Sequence, residues 1–175
     1  HFDALVFATG FEVSKQGTPI PIRGRDGRLL ADEWARGAYA YKSFAVSGYP
    51  NLYFTPGPNS GPGHNSALVY MEAQIDAIVT AIGLVRDRDL TLLDVHQPTQ
   101  DAYNRSIQKR LEHTTWNSGC RSWYLTDDGF NATMYPGFAS QFIAQMRTVD
   151  FTRDFRAVAA GAVTDRRERS GGGTR

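Results

Sequence analysis

The sequence is poor in the features that define several classes of protein. Cys120 is its only cysteine, which excludes an internal disulfide framework and any Cys-x-x-Cys site, and favours a reducing compartment. Nineteen basic residues nearly balance eighteen acidic ones, and no basic run interleaved with aromatic residues indicates a nucleic-acid partner. The longest apolar helical stretch, residues 68–85, contains Glu72, Gln74 and Asp76, so we expect no membrane span. These features predict a cytoplasmic protein, and the spacing of its histidines predicts no metal site.

The most informative stretch that is present lies at residues 1–11. Ala4 to Ala8 form an uninterrupted apolar run that stops at Thr9-Gly10. Such a run is typical of a strand buried on both faces, as in a parallel sheet covered by helices. The neighbouring strands should come earlier in sequence, yet only three residues precede the run. We therefore expect the C-terminal part of a larger α/β protein, with this strand inside its sheet.

A second segment combines a brief strand, a loop and a helix. Residues 52–54 predict the strand, and residues 56–63 contain three prolines and three glycines. Asn65 or Ser66 is a suitable N-cap for the helix that follows. Backbone N–H groups at such a helix start favour an anion or an electron-rich ring edge. Apolar residues three and four apart predict the buried face of this helix: Leu68, Met71, Ile75, Ile78, Ile82 and Val85.

The remaining elements are shorter. Arg25 to Arg28 predict a hairpin turn, and residues 91–95 predict a weak strand. Pro98 opens a second helix with Tyr103, Ile107 and Leu111 on a narrow apolar face, and residues 138–149 predict a third helix. Residues 150–155 read as a packed return segment, and the charged, then glycine-rich tail predicts disorder.

Three groups of residues resemble a known family. Asp3 followed by Phe7-Ala8-Thr9-Gly10-Phe11 resembles the Ala-Thr-Gly element of flavin-dependent monooxygenases that have two dinucleotide-binding domains. Residues 48–66, with residues 71–74 after them, are similar to the later flavin-side segment of that family. Residues 120–124, then 128–131 and 135–137, resemble the C-terminal part of Baeyer–Villiger monooxygenases. The resemblance covers most of residues 1–150 in order, and is closest to the ketone-oxidising members.

The resemblance implies the C-terminal portion of a Rossmann-like α/β flavoprotein, with an incomplete sheet plus helices. Residues 1–90 would end the FAD-binding domain, residues 91–160 would form a helical and lid segment, and residues 161–175 would be a disordered tail. In this family NADPH reduces FAD, and the flavin then captures dioxygen as a C4a-peroxyflavin. That species inserts oxygen into a small-molecule ketone to give an ester or lactone.

The sequence departs from the family pattern in what it lacks. Neither Gly-x-Gly-x-x-Gly loop occurs in it, and the family's fingerprint and catalytic arginine are also absent. Each dinucleotide needs such a phosphate-binding loop. We therefore assign no catalytic residue, expect the chain alone to be inactive, and expect missing N-terminal dinucleotide-binding domains as its partners.

The resemblance also implies which residues contact the cofactors, and each has a simpler interpretation. For Thr9-Gly10 the simpler interpretation is the end of a strand, and for the glycine-rich loop it is a connection to a capped helix. His64 is equally suited to touching flavin or filling the loop, and Asn59 suits holding its own turn slightly better. For Trp123 and Tyr124 the simpler interpretation is an aromatic pair that packs the C-terminal segment against the rest of the protein. The FAD candidates are Thr9, Gly10, Phe11, Asn59, Gly61, Gly63, His64, Asn65 and Ser66, and the NADP or lid candidates are Trp123, Tyr124 and Asn131.

Other functions remain open at this level. Disulfide reductases share the Ala-Thr-Gly element, but their second flavin strand ends in Gly-Asp, whereas here the corresponding strand ends in Pro-Gly-Pro-Asn59. That difference favours a monooxygenase. An enzyme that oxidises sulfur or nitrogen, and a non-catalytic truncated product that serves as an interaction module, are the two alternatives.

Overall fold

The computed structural model describes residues 1–7, 20–118 and 124–160. These residues form helix α1 (Leu30–Glu33), the long helix α2 (Ala67–Asp87), strand β1 (Leu90–Val95) and helix α3 (Gln97–Leu111). A 3-10 turn (Thr115–Asn117), helix α4 (Ala139–Arg147) and strand β2 (Phe155–Ala159) follow. The predicted hairpin is present as a bridge between Arg23 and Leu29, while the predicted strand at residues 52–54 is reduced to a single bridge at Tyr53.

The sheet of the described residues is small and antiparallel. Strand β1 pairs with β2, so that Leu93 lies opposite Ala157 and Val95 lies opposite Phe155. The predicted strand at residues 91–95 is confirmed, and the predicted return segment leads into its partner. Helix α2 packs against α4 and β1, which places the main core between these elements.

The opening segment differs from its prediction. Phe2, Leu5, Val6 and Phe7 are between 73% and 92% exposed, and residues 1–7 form no strand. The expectation of a buried strand at residues 4–8 is therefore wrong for residues 4–7, and Ala8 lies outside the described residues. A strand needs a neighbour to pair its N–H and C=O groups, and no described strand runs beside this segment.

Helix α2 has the predicted N-cap, but it buries a different face. The Oγ of Ser66 accepts a hydrogen bond from the Leu68 backbone N–H at 3.3 Å. Of the residues predicted to form the core face, Leu68, Ile75 and Ile82 are instead 65%, 44% and 55% exposed. The buried face consists of smaller or polar side chains together with one aromatic, namely Tyr70, Ala73, Gln74, Ala77 and Ala81. Alanines four apart let α4 approach closely, so this face packs better than the larger aliphatic one.

Helices α3 and α4 follow their predicted patterns more closely. Ile107 and Leu111 of α3 and Phe142 of α4 are fully buried. Phe138, which was predicted on the apolar face of the third helix, is the N-cap residue of α4 and is 67% exposed. Aromatic side chains dominate the core around α4, where Phe142 contacts Tyr70 and Tyr135 with ring centroids 4.6 and 5.0 Å apart.

A buried hydrogen bond ties the segment after α4 to the middle of the chain. Tyr41 donates its hydroxyl to Oδ2 of Asp154 at 2.6 Å, and Arg153 pairs with the other carboxylate oxygen at 2.8 Å. The hydrogen bond from Arg153, helped by that from Tyr41, holds the pKa of Asp154 below its ordinary value. Burial, reinforced by Asp154, raises the pKa of Tyr41.

Candidate functional site

Two loops lie side by side at the start of α2. They are the glycine-rich loop (residues 56–66) and the 131–138 loop. The Gly61 N–H donates to the Thr133 carbonyl at 2.8 Å, and the Tyr135 N–H donates to the Gly61 carbonyl at 3.0 Å. A Cβ at Gly61 would lie 2.7 Å from the Thr133 oxygen, so only glycine lets the two backbones approach this closely.

Asn59 and Asn131 lie within this contact. Asn59 is 1% exposed, and its Nδ2 donates to the carbonyl oxygens of Asn131 at 2.7 Å and Met134 at 3.0 Å. The Oδ1 of Asn131 accepts the backbone N–H groups of Thr133 and Met134 at 3.1 and 2.9 Å. The structure thus places Asn59 between the loops, where its amide donor is engaged with protein carbonyls. A cofactor contact by Asn59 stays a prediction.

The exposed end of the glycine-rich loop brings four predicted residues together. Gly63, His64, Asn65 and Ser66 are all exposed where α2 begins. The Oδ1 of Asn65 accepts the Ser66 N–H at 2.7 Å, which keeps the chain turned into the helix. Helix α2 is 21 residues long, so its N-terminus carries a partial positive charge, and Ser66 accepts the N–H groups of Leu68 and Val69 in its first turn.

A cleft of about 430 Å³ opens beside this helix start. The His64 ring packs edge-on against Phe138 with centroids 5.9 Å apart. The Trp116 indole covers Gly63 so closely that a Cβ there would overlap the ring. One side of the cleft is therefore aromatic.

The other side of the cleft carries a cation. The Arg110 guanidinium lies 5.3 Å from the centroid of the Tyr135 ring and donates to the Pro136 carbonyl at 2.8 Å. The described residues that line the cleft include Arg110 and His64, and none of them is acidic. A cleft with this charge favours an anionic or electron-rich ligand.

The lid candidates are only partly described. Tyr124 packs edge-on against Trp116 with centroids 5.6 Å apart, which connects it to the wall of the cleft. Asn131 orders the 131–138 loop through its side chain, and its lid role stays a prediction. Thr9, Gly10, Phe11 and Trp123 lie outside the described residues, as does Cys120.

Arg110 and Trp116 are site residues that the sequence did not reveal. Arg110 occupies a polar position near the end of α3, where a basic residue also suits the helix dipole, so no pattern distinguishes it. Trp116 is a large aromatic residue in an otherwise polar segment, and that contrast is a signal that would have drawn attention to it. Residues 1–7, 20–118 and 124–160 contain no group of three potential metal ligands.

The fold matches part of a solved flavoprotein. Cyclohexanone monooxygenase from Rhodococcus sp. Phi1 bound to NADP+ superposes with a TM-score of 0.70, over 81% of this chain and 27% of that one. The sequence identity is 19%, so this likeness shows the fold alone. It confirms the predicted fold class: a mixed helix and strand portion of a Baeyer–Villiger-type flavoprotein.

Sequence comparison identifies the family. A Baeyer–Villiger monooxygenase of Pseudomonas aeruginosa is 43% identical over 153 residues, which are 85% of this chain. FAD-binding monooxygenase ktnD of Aspergillus niger is 35% identical over 160 residues, or 86% of the chain. No family model matches the sequence. The chain spans 28% and 26% of these two relatives. It is thus recognised as a portion of a Baeyer–Villiger-type flavin monooxygenase. The similarity that shows this covers 85% of the chain and so does not depend on the exposed residues 1–7.

Proposed function

We propose that the chain is the C-terminal portion of an NADPH-dependent FAD monooxygenase that inserts one oxygen atom of dioxygen into a ketone. The observation that carries this proposal is the 43% identity to the Pseudomonas aeruginosa Baeyer–Villiger monooxygenase over 85% of the chain. The relative described as FAD-binding and the solved enzyme with bound NADP+ support the choice of cofactors.

FAD and NADPH would supply the redox and oxygen chemistry, and this chain would supply position and charge. The N-terminus of α2 and the exposed backbone at Gly63 fit the flavin ring edge, because reduced flavin carries negative charge there. His64, Asn65 and Ser66 share this exposed stretch. Gly61 would support this stretch without touching the flavin, because its N–H holds the glycine-rich loop against the Thr133 carbonyl.

The cleft beside the helix start would take part of the nicotinamide cofactor or the substrate. The Arg110 guanidinium favours an anionic group, and the Trp116 and Phe138 rings provide an apolar surface. Trp123 and Tyr124 would close over this region and exclude water from the reaction. The contact between Tyr124 and Trp116 supports that assignment.

An exposed apolar face of α2 supports the proposal that dinucleotide-binding domains cover this chain. Leu68, Ile75, Val79 and Ile82 follow one side of the helix over about 21 Å, at a rise of 1.5 Å per residue. A contiguous exposed apolar surface of this kind marks an interface. We propose that residues 1–90 complete the FAD-binding domain against this partner, and that residues 91–160 form the helical and lid segment.

The same helix is long and apolar enough to cross a membrane by length and composition, a test that core helices of soluble proteins also pass. Its opposite face packs on α4 and β1 within the core, and Glu72 and Asp76 lie beside the apolar face. We therefore assign the exposed face to a protein contact and propose a cytoplasmic enzyme.

The experiment uses the chain alone and a hybrid in which it replaces the matching part of the Pseudomonas aeruginosa relative. With FAD, NADPH and a panel of ketones, the chain alone should consume no NADPH, because it has no phosphate-binding loop. The flavin-loaded hybrid should consume NADPH and form esters or lactones. The unaltered relative is the matched control for expression and flavin content.

Two outcomes would refute the proposal. One is turnover by the isolated chain. The other is a flavin-loaded hybrid that leaves every ketone unchanged; oxidation of added sulfides or amines by that hybrid would favour a sulfur- or nitrogen-oxidising enzyme.

A further inference from the structure

We propose that Asn59 and Asn131 are positioning residues. Together they form an amide clasp that joins the glycine-rich loop and the 131–138 loop into one unit and so holds the parts of the cleft lining that these two loops contribute at a fixed separation. The consequence for cofactor binding rests on the proposed function, whereas the clasp itself does not.

The orientation of the Asn59 amide is determined by its partners. Both groups that Nδ2 contacts, at Asn131 and Met134, are backbone carbonyl oxygens, which only accept hydrogen bonds. Rotating the amide by half a turn would place oxygen against oxygen at both contacts. Since the side chain is also buried, its donor is committed to joining the loops.

Asn131 shapes the loop that receives Asn59. Its Oδ1 accepts two consecutive N–H groups, from Thr133 and Met134, which bends the backbone and leaves its own carbonyl oxygen turned toward Asn59. That carbonyl oxygen also accepts Nε2 of Gln108 at 2.9 Å. Asn131 is fully buried, and its bonds to Asn59 and to the Met134 N–H are shielded from water.

The clasp connects to α2, which begins beside the cleft, and to α3, which contributes Arg110 to its lining. On one side, Ser43 donates its hydroxyl to the Asn59 carbonyl at 3.1 Å, and Gln74 of α2 donates to the Ser43 carbonyl at 2.9 Å. On the other side, Gln108 belongs to α3, two residues before Arg110. A displacement of the clasp would therefore move the start of α2 relative to the Arg110 side of the cleft.

The chain offers a matched pair of substitutions. Asn59 and Asn51 both have positive φ, +54° and +59°, so glycine fits either backbone without strain. Each side chain makes two hydrogen bonds to the backbone, and those of Asn51 join it to Thr91 and Leu93, in β1. Asn51→Gly therefore removes the same kind of interaction at a place outside the two loops.

The first measurement is amide hydrogen exchange in the full chain by NMR. In Asn59→Gly, the Gly61 and Tyr135 amides should exchange at least about tenfold faster, because two buried hydrogen bonds that hold the loops together are lost. The exchange rates of amides inside α3 should change only as much as any change in the free energy of global unfolding requires. In Asn51→Gly, the Gly61 and Tyr135 amides should exchange as in the unaltered chain. The clasp would be overturned if exchange in Asn59→Gly became faster by the same factor at every amide. It would also be overturned if the Gly61 and Tyr135 amides exchanged no faster than in the unaltered chain.

The second measurement separates positioning from stability in the flavin-loaded hybrid. Asn59→Gly should weaken FAD binding about tenfold and change the flavin absorption spectrum, while Asn51→Gly leaves both unaltered. An unchanged spectrum and affinity in Asn59→Gly would overturn the positioning role. If the hybrid oxidises no ketone, the proposed function fails, and the exchange rates in the chain still decide whether the clasp exists.

Discussion

Replacing Gly61 by alanine should destabilise the chain, although the same change at Gly83 should stabilise it. Gly61 does not have positive φ, so alanine fits its backbone conformation and the cost comes from the new methyl group alone. That Cβ would lie 2.7 Å from the Thr133 carbonyl oxygen. The oxygen is held in place because it accepts the Gly61 N–H at 2.8 Å, so the two loops must separate.

The magnitude follows from these contacts. Forcing a methyl group into a packed contact costs about 1–3 kcal/mol, and weakening the paired backbone hydrogen bonds adds to that cost. Gly83 lies inside α2, and a Cβ there would meet nothing within 4 Å. Gly83→Ala should therefore gain about 1 kcal/mol from helix propensity.

Urea unfolding at pH 7, followed by circular dichroism, measures both variants. The free energies of unfolding should differ by about 2–4 kcal/mol with similar m-values. A Gly61→Ala chain as stable as the unaltered one would refute the close approach of the two loops, and with it the basis of the clasp.

The remaining predictions concern the core and the exposed face of α2. Tyr41→Phe should cost about 1.5–3 kcal/mol in urea unfolding at pH 7, since it removes a buried donor to a carboxylate. The pKa of Asp154 is lower in the folded chain than in the unfolded chain, so this contribution is present above about pH 4 and lost as the pH falls through the folded value. The stability cost of Tyr41→Phe should therefore be smaller at about pH 2.5, below the ordinary carboxyl pKa, than at about pH 7, above it. An equal cost at the two pH values would contradict this assignment. Ile82→Gln should change the free energy of unfolding by less than about 0.5 kcal/mol, because the side chain is exposed. Ala81→Leu, at the adjacent buried position, should cost about 1–3 kcal/mol, and the opposite ranking would mean that the predicted face of α2 is the packed one.

Local signals predicted most of the helices. Pro98 and the spacing of Tyr103, Ile107 and Leu111 indicated α3, and its bounds of Gln97–Leu111 agree. Ser66 was predicted as one of two N-caps and is the N-cap of α2. Such features depend on residues three or four positions apart, so the chain itself carries the information.

The wrong predictions for residues 4–7 and for the buried face of α2 both concerned packing against elements elsewhere. Residues 4–7 have the composition of a buried strand, but a strand forms only beside another strand, and none of the described ones runs there. Helix α2 has apolar residues on more than one side, so periodicity identifies a helix without deciding which side is buried. In the described structure the side of α2 that carries Ala73, Ala77 and Ala81 is the one buried in the core.

The amino-acid sequence alone established helices with defined starts, a glycine-rich loop before the longest described helix, and similarity to Baeyer–Villiger monooxygenases. These rest on short-range spacing and on the order of motifs, which folding does not alter. Two further features depend on how the folded chain packs: which face of α2 is buried, and the hydrogen bond from Asn59 to a residue 72 positions away. A hydrogen bond across that separation leaves no periodicity in the sequence, because it depends on how the intervening elements pack.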